Sequence, residues 1–219
     1  MRSISSDVLV VGAGAAGISA ALSAKDTGAS VILIERNPVF GGEATNSSIN
    51  SFCGFYTRGK NPDLAVGGVG KYILSLLKEH GFDVLPHPSK STGNIAIHFD
   101  PEILKFIYDD LLRTSKIDFY LHTSLIKVNC ENNQIISVIA LDDEGPIEIV
   151  AKQYVDATGN ANLTNLANLP TEWGDVNGKV QLSSLSFKLS NLPRHEILNT
   201  DLTKAIKAGK RAGIKYLKS

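Results

Sequence analysis

Asp7-Val8-Leu9-Val10-Val11-Gly12-Ala13-Gly14-Ala15-Ala16-Gly17 is the stretch that decides the fold. Its first five residues form a short apolar run rich in β-branched side chains, the pattern of a parallel strand buried on both faces. The run stops at Gly12, and Ala15 to Thr27 follows as an alanine-rich segment with Ile18 and Leu22 as its larger apolar residues. Gly28 stands where a helix would end. Ser30-Val31-Ile32-Leu33-Ile34 is a second buried strand, closed by the acidic Glu35. Strand, helix and strand make a βαβ unit of about thirty residues, for which a right-handed crossover is expected.

Gly12, Gly14 and Gly17 fall on G-x-G-x-x-G between that strand and helix, and Glu35 follows at about the twenty-residue spacing of the dinucleotide fingerprint. Each position has a physical task. Gly12 allows the tight turn, Gly14 lets the backbone approach a pyrophosphate, and Gly17 lets the helix pack closely. The N–H groups near Ala15 and Ala16 offer the positive end of the helix dipole to phosphate. Glu35 can accept hydrogen bonds from the adenosine ribose hydroxyls, and its charge disfavours a 2′-phosphate, hence NADP. The fingerprint alone does not separate NAD from FAD. The continuation does, because Glu35-Arg36-Asn37-Pro38 enters a long loop containing Gly41-Gly42-Glu43-Ala44-Thr45, where an NAD dehydrogenase would continue into further strand and helix.

Downstream, residues 37 to 70 read as a loop whose length suggests function. Tyr72, Ile73, Leu76 and Leu77 suggest a helix ending at Gly81, and Phe82 to Thr92 a connection with two prolines. Asp100-Pro101-Glu102 starts a helix to Arg113, with an N-cap acceptor, proline at the first position and an acid in the first turn. A short strand at Phe119-Tyr120-Leu121 precedes three β segments, Leu125 to Val128, Ile135 to Leu141 and Ile147 to Val150, which read as an antiparallel meander. Tyr154-Val155-Asp156-Ala157-Thr158-Gly159 is a separate strand running into a small-residue turn. A domain boundary is placed near residue 170. Beyond it, Lys179 to Leu189 alternates in part, and His195 to Lys210 suits a helix.

Taken together, the strand with G-x-G-x-x-G, Glu35-Arg36, Gly41-Gly42-x-x-Thr45 and Asp156-Ala157-Thr158-Gly159-Asn160-Ala161-Asn162-Leu163 resemble the FAD-dependent oxidoreductases of the glutathione-reductase-like fold. Within them the chain is most similar to the branch whose late motif reads DATGDADL, with Asn160 and Asn162 replacing its aspartates. The resemblance implies an α/β architecture: a Rossmann-like FAD-binding domain with a parallel sheet and an antiparallel β-meander over residues 1–170, and part of a substrate domain over 171–219. Residues about 76–98 are a further candidate contribution to the substrate domain. It also implies FAD as cofactor, with Gly12, Gly14, Ala15, Ala16 and Gly17 on the pyrophosphate, Glu35 on the ribose and Arg36 beside the adenine. Gly42, Ala44 and Thr45 would approach the pyrophosphate and the ribityl or flavin portion, Ile126 the adenine, and Ala157, Thr158 and Gly159 would close the strand against the cofactor. Arg36 and Ile126 have plain alternatives, a solvated arginine and a strand core residue.

No catalytic residue is assigned. Cys53 lacks the partner cysteine of a disulfide reductase and reads as a small buried residue, with a redox role as the alternative. Arg58 could bind a substrate carboxylate bidentately or simply be a surface arginine. His80, His87, His98, His122 and His195 show no metal-ligand spacing, so no metal is expected. Asp109 and Asp110 are neighbours on a helix and do not face each other. Lys204, Lys207, Lys210, Arg211, Lys215 and Lys218 suit the wet face of a terminal helix.

The remaining composition narrows the class. With 219 residues, 22 basic and 22 acidic, 43% hydrophobic and 20% charged, the chain can bury a sizeable core and lacks the basic excess of a nucleic-acid binder. Unpaired Cys53 and Cys130 and the absence of an apolar leader suggest a cytoplasmic setting without a membrane span. The leading expectation is a flavoenzyme taking a hydride from an unidentified small molecule. The alternatives are a non-catalytic or truncated FAD-binding subunit and an NAD-dependent dehydrogenase. In the family it resembles the chain returns to the FAD domain with a last cofactor-contacting segment. Nothing after Pro170 has that glycine-rich character, so the chain reads as a fragment or short form. A homo-oligomer, or a partner supplying the missing part of the site, is the corresponding expectation.

Overall fold

The computed structural model describes residues 1–89, 93–186, 188, 190–191 and 199–214. They fall into two units, Met1–Ser186 and Phe187–Ser219. In the first, β1 (Arg2–Val11), α1 (Ala15–Asp26) and β2 (Val31–Ile34) form the expected βαβ unit. β1 and β2 are parallel, with Val11 opposite Ile34. There follow α2 (Glu43–Asn46), β3 (Ser51–Cys53), α3 (Gly68–Glu79), β4 (His87–Pro88), β5 (Ile95–His98) and α4 (Pro101–Thr114). β6 (Asp118–Tyr120), the meander strands β7 (Ser124–Glu131), β8 (Gln134–Asp142) and β9 (Gly145–Asp156), and α5 (Asn162–Leu166) complete the unit.

The main sheet has the order β6-β2-β1-β9-β8-β7. Its first four strands are parallel and its last two pairings antiparallel. β1 is central, and pleating sends its residues alternately to two cores. Val10 joins Ile18, Leu22 and Leu33 with Leu77, Leu104, Ile107 and Leu112 of α3 and α4. Leu9 and Val11 join Ile32, Ile34, Val128, Val138, Ala140, Ile147, Ile149 and Leu163, so the meander covers the other face. This is why the run at residues 7–11 carries no alternation.

Three expectations are corrected. The third meander segment and the strand before Ala157 are one strand. β9 pairs antiparallel with β8 over Gly145–Ile149 and parallel with β1 over Ile147–Asp156. Its middle, Ala151-Lys152-Gln153, carries solvated polar side chains that hide the continuity. Residues 37–70 and 82–99 contain a small second sheet, ordered β3-β5-β4, whose strands are two to four residues long and held by pairing rather than by local pattern. Finally, the described residues of the stretch from Lys179 to Leu189 form no strand, and residues 179–186 are exposed.

Helix α4 starts as its sequence dictates: the Asp100 side chain accepts from the Glu102 N–H at 2.8 Å, with Pro101 at the first turn. Replacing Asp100 by alanine should cost about 1 kcal/mol. Thermal unfolding should then occur about 2–4 °C lower; an unchanged midpoint would mean that the cap is not felt in the folded unit.

The second unit contains α6 (Asn199–Arg211). Lys204, Lys207 and Arg211 are exposed on it, as expected of a wet face, whereas His195, Lys215 and Lys218 lie outside the described residues. No described helix is long and apolar enough to cross a membrane.

Candidate cofactor site

The C-terminal ends of β2, β1 and β9 lie side by side and deliver Glu35, Gly12 and Ala157 to one edge of the sheet. A crevice outside the carboxyl ends of parallel strands is where open α/β sheets bind ligands. Here it is a cavity of about 770 Å³. Gly12, Gly14, Ala15 and Ala16 line it from the first turn, Glu35, Arg36 and Asn37 from the end of β2, and Gly41 to Ala44 from the glycine loop. Thr123, Ser124 and Leu125 line it from the start of the meander, and Ala157, Thr158 and Gly159 from the end of β9.

Two glycines shape this cavity through backbone that other residues rarely adopt. Gly12 has φ +96°, and a Cβ there would meet the Ala157 carbonyl oxygen at 2.5 Å. Gly42 has φ +57°, and its Cβ would lie 3.0 Å from the Cα of Gly14. The two glycine loops thus touch backbone to backbone, joined by the Gly41 N–H donating to the Ala13 carbonyl at 2.8 Å. No side chain caps the start of α1. Ala15 and Ala16 are exposed there, so the N–H groups of the first turn remain available to an anion.

Glu35 is only 6% exposed. Its carboxylate accepts from the Ala13 N–H at 2.7 Å and from the N–H and side-chain amide of Asn37, both at 2.8 Å. These bonds aim the carboxylate across the glycine loop and tie the ends of β1 and β2 together. Each oxygen retains accepting capacity for a ribose hydroxyl.

The other expected positions sort by depth. Gly17 is buried beneath the cavity, packed against Gly12. Thr45 is 4% exposed and its hydroxyl donates to the Phe40 carbonyl, so it braces the glycine loop from below rather than lining the cavity. Phe40 in turn is anchored edge-to-face on Phe119, centroids 5.1 Å apart. Ile126 is 48% exposed, while the adjacent Leu125 lines the cavity. Alternation at the start of β7 gives the two opposite directions. Cys53 corrects its expectation: it is exposed and lines the cavity, because Phe52 takes the inward position on β3 and packs against Phe99. Arg58 is exposed, with its guanidinium on the Asn94 side-chain oxygen. Among the described residues, no group of three His, Cys, Asp or Glu side chains is placed to hold a metal ion.

Asn37, Thr123, Asn46 and Asn162 were not anticipated as site residues. The signal for Asn37 was the Asn-Pro turn following Glu35. For Thr123 it was a threonine at the mouth of the meander, 1% exposed, whose N–H donates to the Glu35 carbonyl at 2.8 Å.

Asp156 organises the far side of the cavity. Its carboxylate accepts from the N–H and hydroxyl of Thr158 and from the N–H and hydroxyl of Thr164. Burial alone would raise its pKa, but the four donors together hold it below the ordinary carboxylate value. With the folded value below the unfolded one, this contribution to stability is complete above about pH 4 and fades as the pH falls through the folded value. The stability gap between the protein and Asp156→Ala, measured by urea unfolding, should therefore be wider at pH 7 than at pH 3. Equal gaps would show that the charge of Asp156 contributes nothing.

With the geometry in place, the comparisons with known proteins decide the family. A profile described as FAD dependent oxidoreductase matches residues 7–215. The chain belongs to the FAD dependent oxidoreductase family. The cofactor of that family is FAD, which sets aside the NAD-dependent alternative. A cytochrome-containing fumarate reductase of Shewanella frigidimarina is 68% identical over 38 residues, 17% of this chain and 7% of that protein. Among solved structures, a geranylgeranyl bacteriochlorophyll reductase-like protein of Thermoplasma acidophilum matches with TM-score 0.53 and 19% identity, over 76% of this chain and 43% of that one. An open flavocytochrome c3 fumarate reductase matches with TM-score 0.50 and 23% identity, over 71% of this chain and 34% of that one. These likenesses establish the shared fold. The matched part spans less than half the length of each of these proteins.

Proposed function

We propose that the cavity at the ends of β2, β1 and β9 holds FAD and that the protein is an oxidoreductase acting on a small molecule. One observation carries this reading: three stretches separate in sequence, around Gly14, from Glu35 to Gly42, and around Thr158, converge on a single cavity at an uncapped helix N-terminus. When bound, the flavin supplies the two-electron chemistry, accepting hydride from a substrate and passing electrons on. The chain's own residues bind and orient it. Gly14, Ala15 and Ala16 present N–H groups to the pyrophosphate and Gly12 leaves it open space, with Gly42 and Ala44 facing them. Gly17 and Thr45 keep these loops in place from beneath. Glu35 accepts from the ribose hydroxyls, Arg36 flanks the adenine with the backbone leading to Ile126, and Ala157, Thr158 and Gly159 close the far side. In this reading residues 1–170 are the FAD-binding domain and 171–219 belong to a substrate domain. The free thiols of Cys53 and Cys130 suit a reducing, cytoplasmic compartment.

The visible spectrum of the purified chain tests this. A yellow protein that releases FAD on denaturation is the expected result. A colourless protein that remains so after incubation with FAD would overturn it.

A further inference from the structure

The cavity wall beyond β9 spans a gap between two fixed points. Asp156 ends β9 opposite Val11 of β1, and the Ala157 N–H donates to the Val11 carbonyl at 2.9 Å. Further on, Leu163 is 3% exposed and anchors α5 among Leu9, Ile34, Val128 and Ile149. Between these points runs the turn that gives the cavity Thr158, Gly159 and Asn162.

Backbone preference alone does not set the shape of this turn. Gly159 has φ +77° and Ala161 φ +53°, the second in a left-handed conformation that a residue with a Cβ rarely adopts. Among the described residues nothing accepts from the N–H groups of Gly159, Asn160 and Ala161. Side chains hold the turn instead. One carboxylate oxygen of Asp156 accepts from the Thr158 N–H at 3.1 Å and hydroxyl at 2.7 Å. The other accepts from the Thr164 N–H at 2.9 Å and hydroxyl at 2.7 Å. The Thr158 hydroxyl in turn accepts from the Asn162 N–H at 2.8 Å. The carboxylate thus ties the end of β9 to the turn through one oxygen and to α5 through the other. Neither Asp156 nor Thr164 lines the cavity.

We propose that Thr164, with Asp156, is a positioning residue for the cofactor: the pair clasps the turn so that Thr158, Gly159 and Asn162 form a ready-made wall. Any residue at 164 supplies the N–H, so the hydroxyl is the part of the clasp that depends on the side chain. That the wall serves FAD rests on the reading above; the clasp itself does not.

Hydrogen exchange in the FAD-free chain tests the clasp, and fluorescence titration with FAD tests its purpose. Thr164→Val keeps the shape of the side chain and removes the hydroxyl. It should speed exchange of the amides from Thr158 to Asn162 about tenfold, with those of α1 unchanged. If the wall is then formed about one tenth of the time, the apparent Kd for FAD rises about tenfold. Thr164→Ser should restore both values. Asp100→Ala, which removes a helix cap outside the cavity lining, should lower stability and leave FAD affinity in place. Asp156→Asn keeps a single acceptor oxygen and serves only half of the clasp, so it should weaken FAD as well. Adding Thr164→Val to it should cost less than about twofold more, because partners in one network are not additive. Should Thr164→Val fail to fold, Asp156→Asn takes its place in both measurements. Unchanged exchange from Thr158 to Asn162 would overturn the clasp. An equal loss of FAD affinity in Asp100→Ala, no rescue by serine, or a full second loss in the double variant would overturn the positioning role. A chain that binds no FAD refutes the cofactor reading and the positioning role with it, while the exchange rates still decide the clasp.

Discussion

Gly17→Ala should lower the stability of the folded unit by about 3 kcal/mol or more, at the upper end of what overpacking costs. The added Cβ would sit well inside contact distance of the Gly12 carbonyl oxygen, 2.9 Å from the Gly12 carbonyl carbon and 3.2 Å from the Ala157 Cβ. None of these neighbours can yield cheaply. The Gly12 N–H donates to the Ile34 carbonyl and the Ala157 N–H to the Val11 carbonyl, so shifting either residue disturbs the junction of β2, β1 and β9. The small helix-propensity gain of alanine, about 1 kcal/mol, does not offset this. For a unit of this size the thermal midpoint should fall by about 6–12 °C. Gly14→Ala is the control that separates packing from binding. Gly14 has φ −75°, and its Cβ would find the nearest atom at an ordinary 3.8 Å, on Gly42. Stability should therefore be almost unaffected while FAD affinity falls, because Gly14 lines the proposed FAD cavity and a methyl group there would narrow it. If both variants lost stability equally, the distinct tasks given to the two glycines would be wrong.

Glu35→Ala is expected to damage both stability and binding. The substitution leaves the buried Ala13 N–H and the Asn37 N–H without their acceptor. An unsatisfied buried donor costs about 1–3 kcal/mol. Asn37, at the cavity surface, can recover a partner in water, so a total loss of about 2–4 kcal/mol in urea unfolding is the expected result. The lost ribose hydrogen bonds should weaken FAD by about 1–3 kcal/mol, which is about 5- to 150-fold in Kd. Asn37→Ala removes one of the two donors to Glu35 Oε1, the side-chain amide, and keeps the backbone N–H and the carboxylate in the site. It should lower FAD affinity by a smaller factor. Fluorescence titration with FAD measures both. An affinity for FAD untouched by Glu35→Ala would reduce Glu35 to a structural tie between β1 and β2.

Much of this site was legible because its residues do two things at once. Gly12, Gly14, Gly17 and Glu35 set the tight turn, the helix packing and the tie between β1 and β2 in the same few positions, so the motif and the fold agree. The N-cap at Asp100 was equally readable, since its partner lies two residues away. Legibility failed where partners are remote. Ile95-Ala96-Ile97-His98 becomes a strand through pairing with Ser51 to Cys53, more than forty residues earlier in the chain. That pairing is also what exposes Cys53. The continuity of β9 was hidden for a related reason. A strand that changes partners midway has its polar middle dictated by solvent and its two ends by different cores.

The central position of β1 also constrains the order in which the chain can mature during synthesis. β2 ends at Ile34, whereas β9, which flanks β1 on its other side, starts only at Gly145. At about 5–20 residues per second the ribosome needs on the order of ten seconds to supply the missing strand. Throughout that interval Leu9, Val10 and Val11 border an open edge, with their N–H and C=O groups unpaired on one side. Exposed apolar edges of this kind template wrong pairings. Slowing translation between residues 35 and 145 should therefore raise the aggregated fraction more than an equal delay after residue 156.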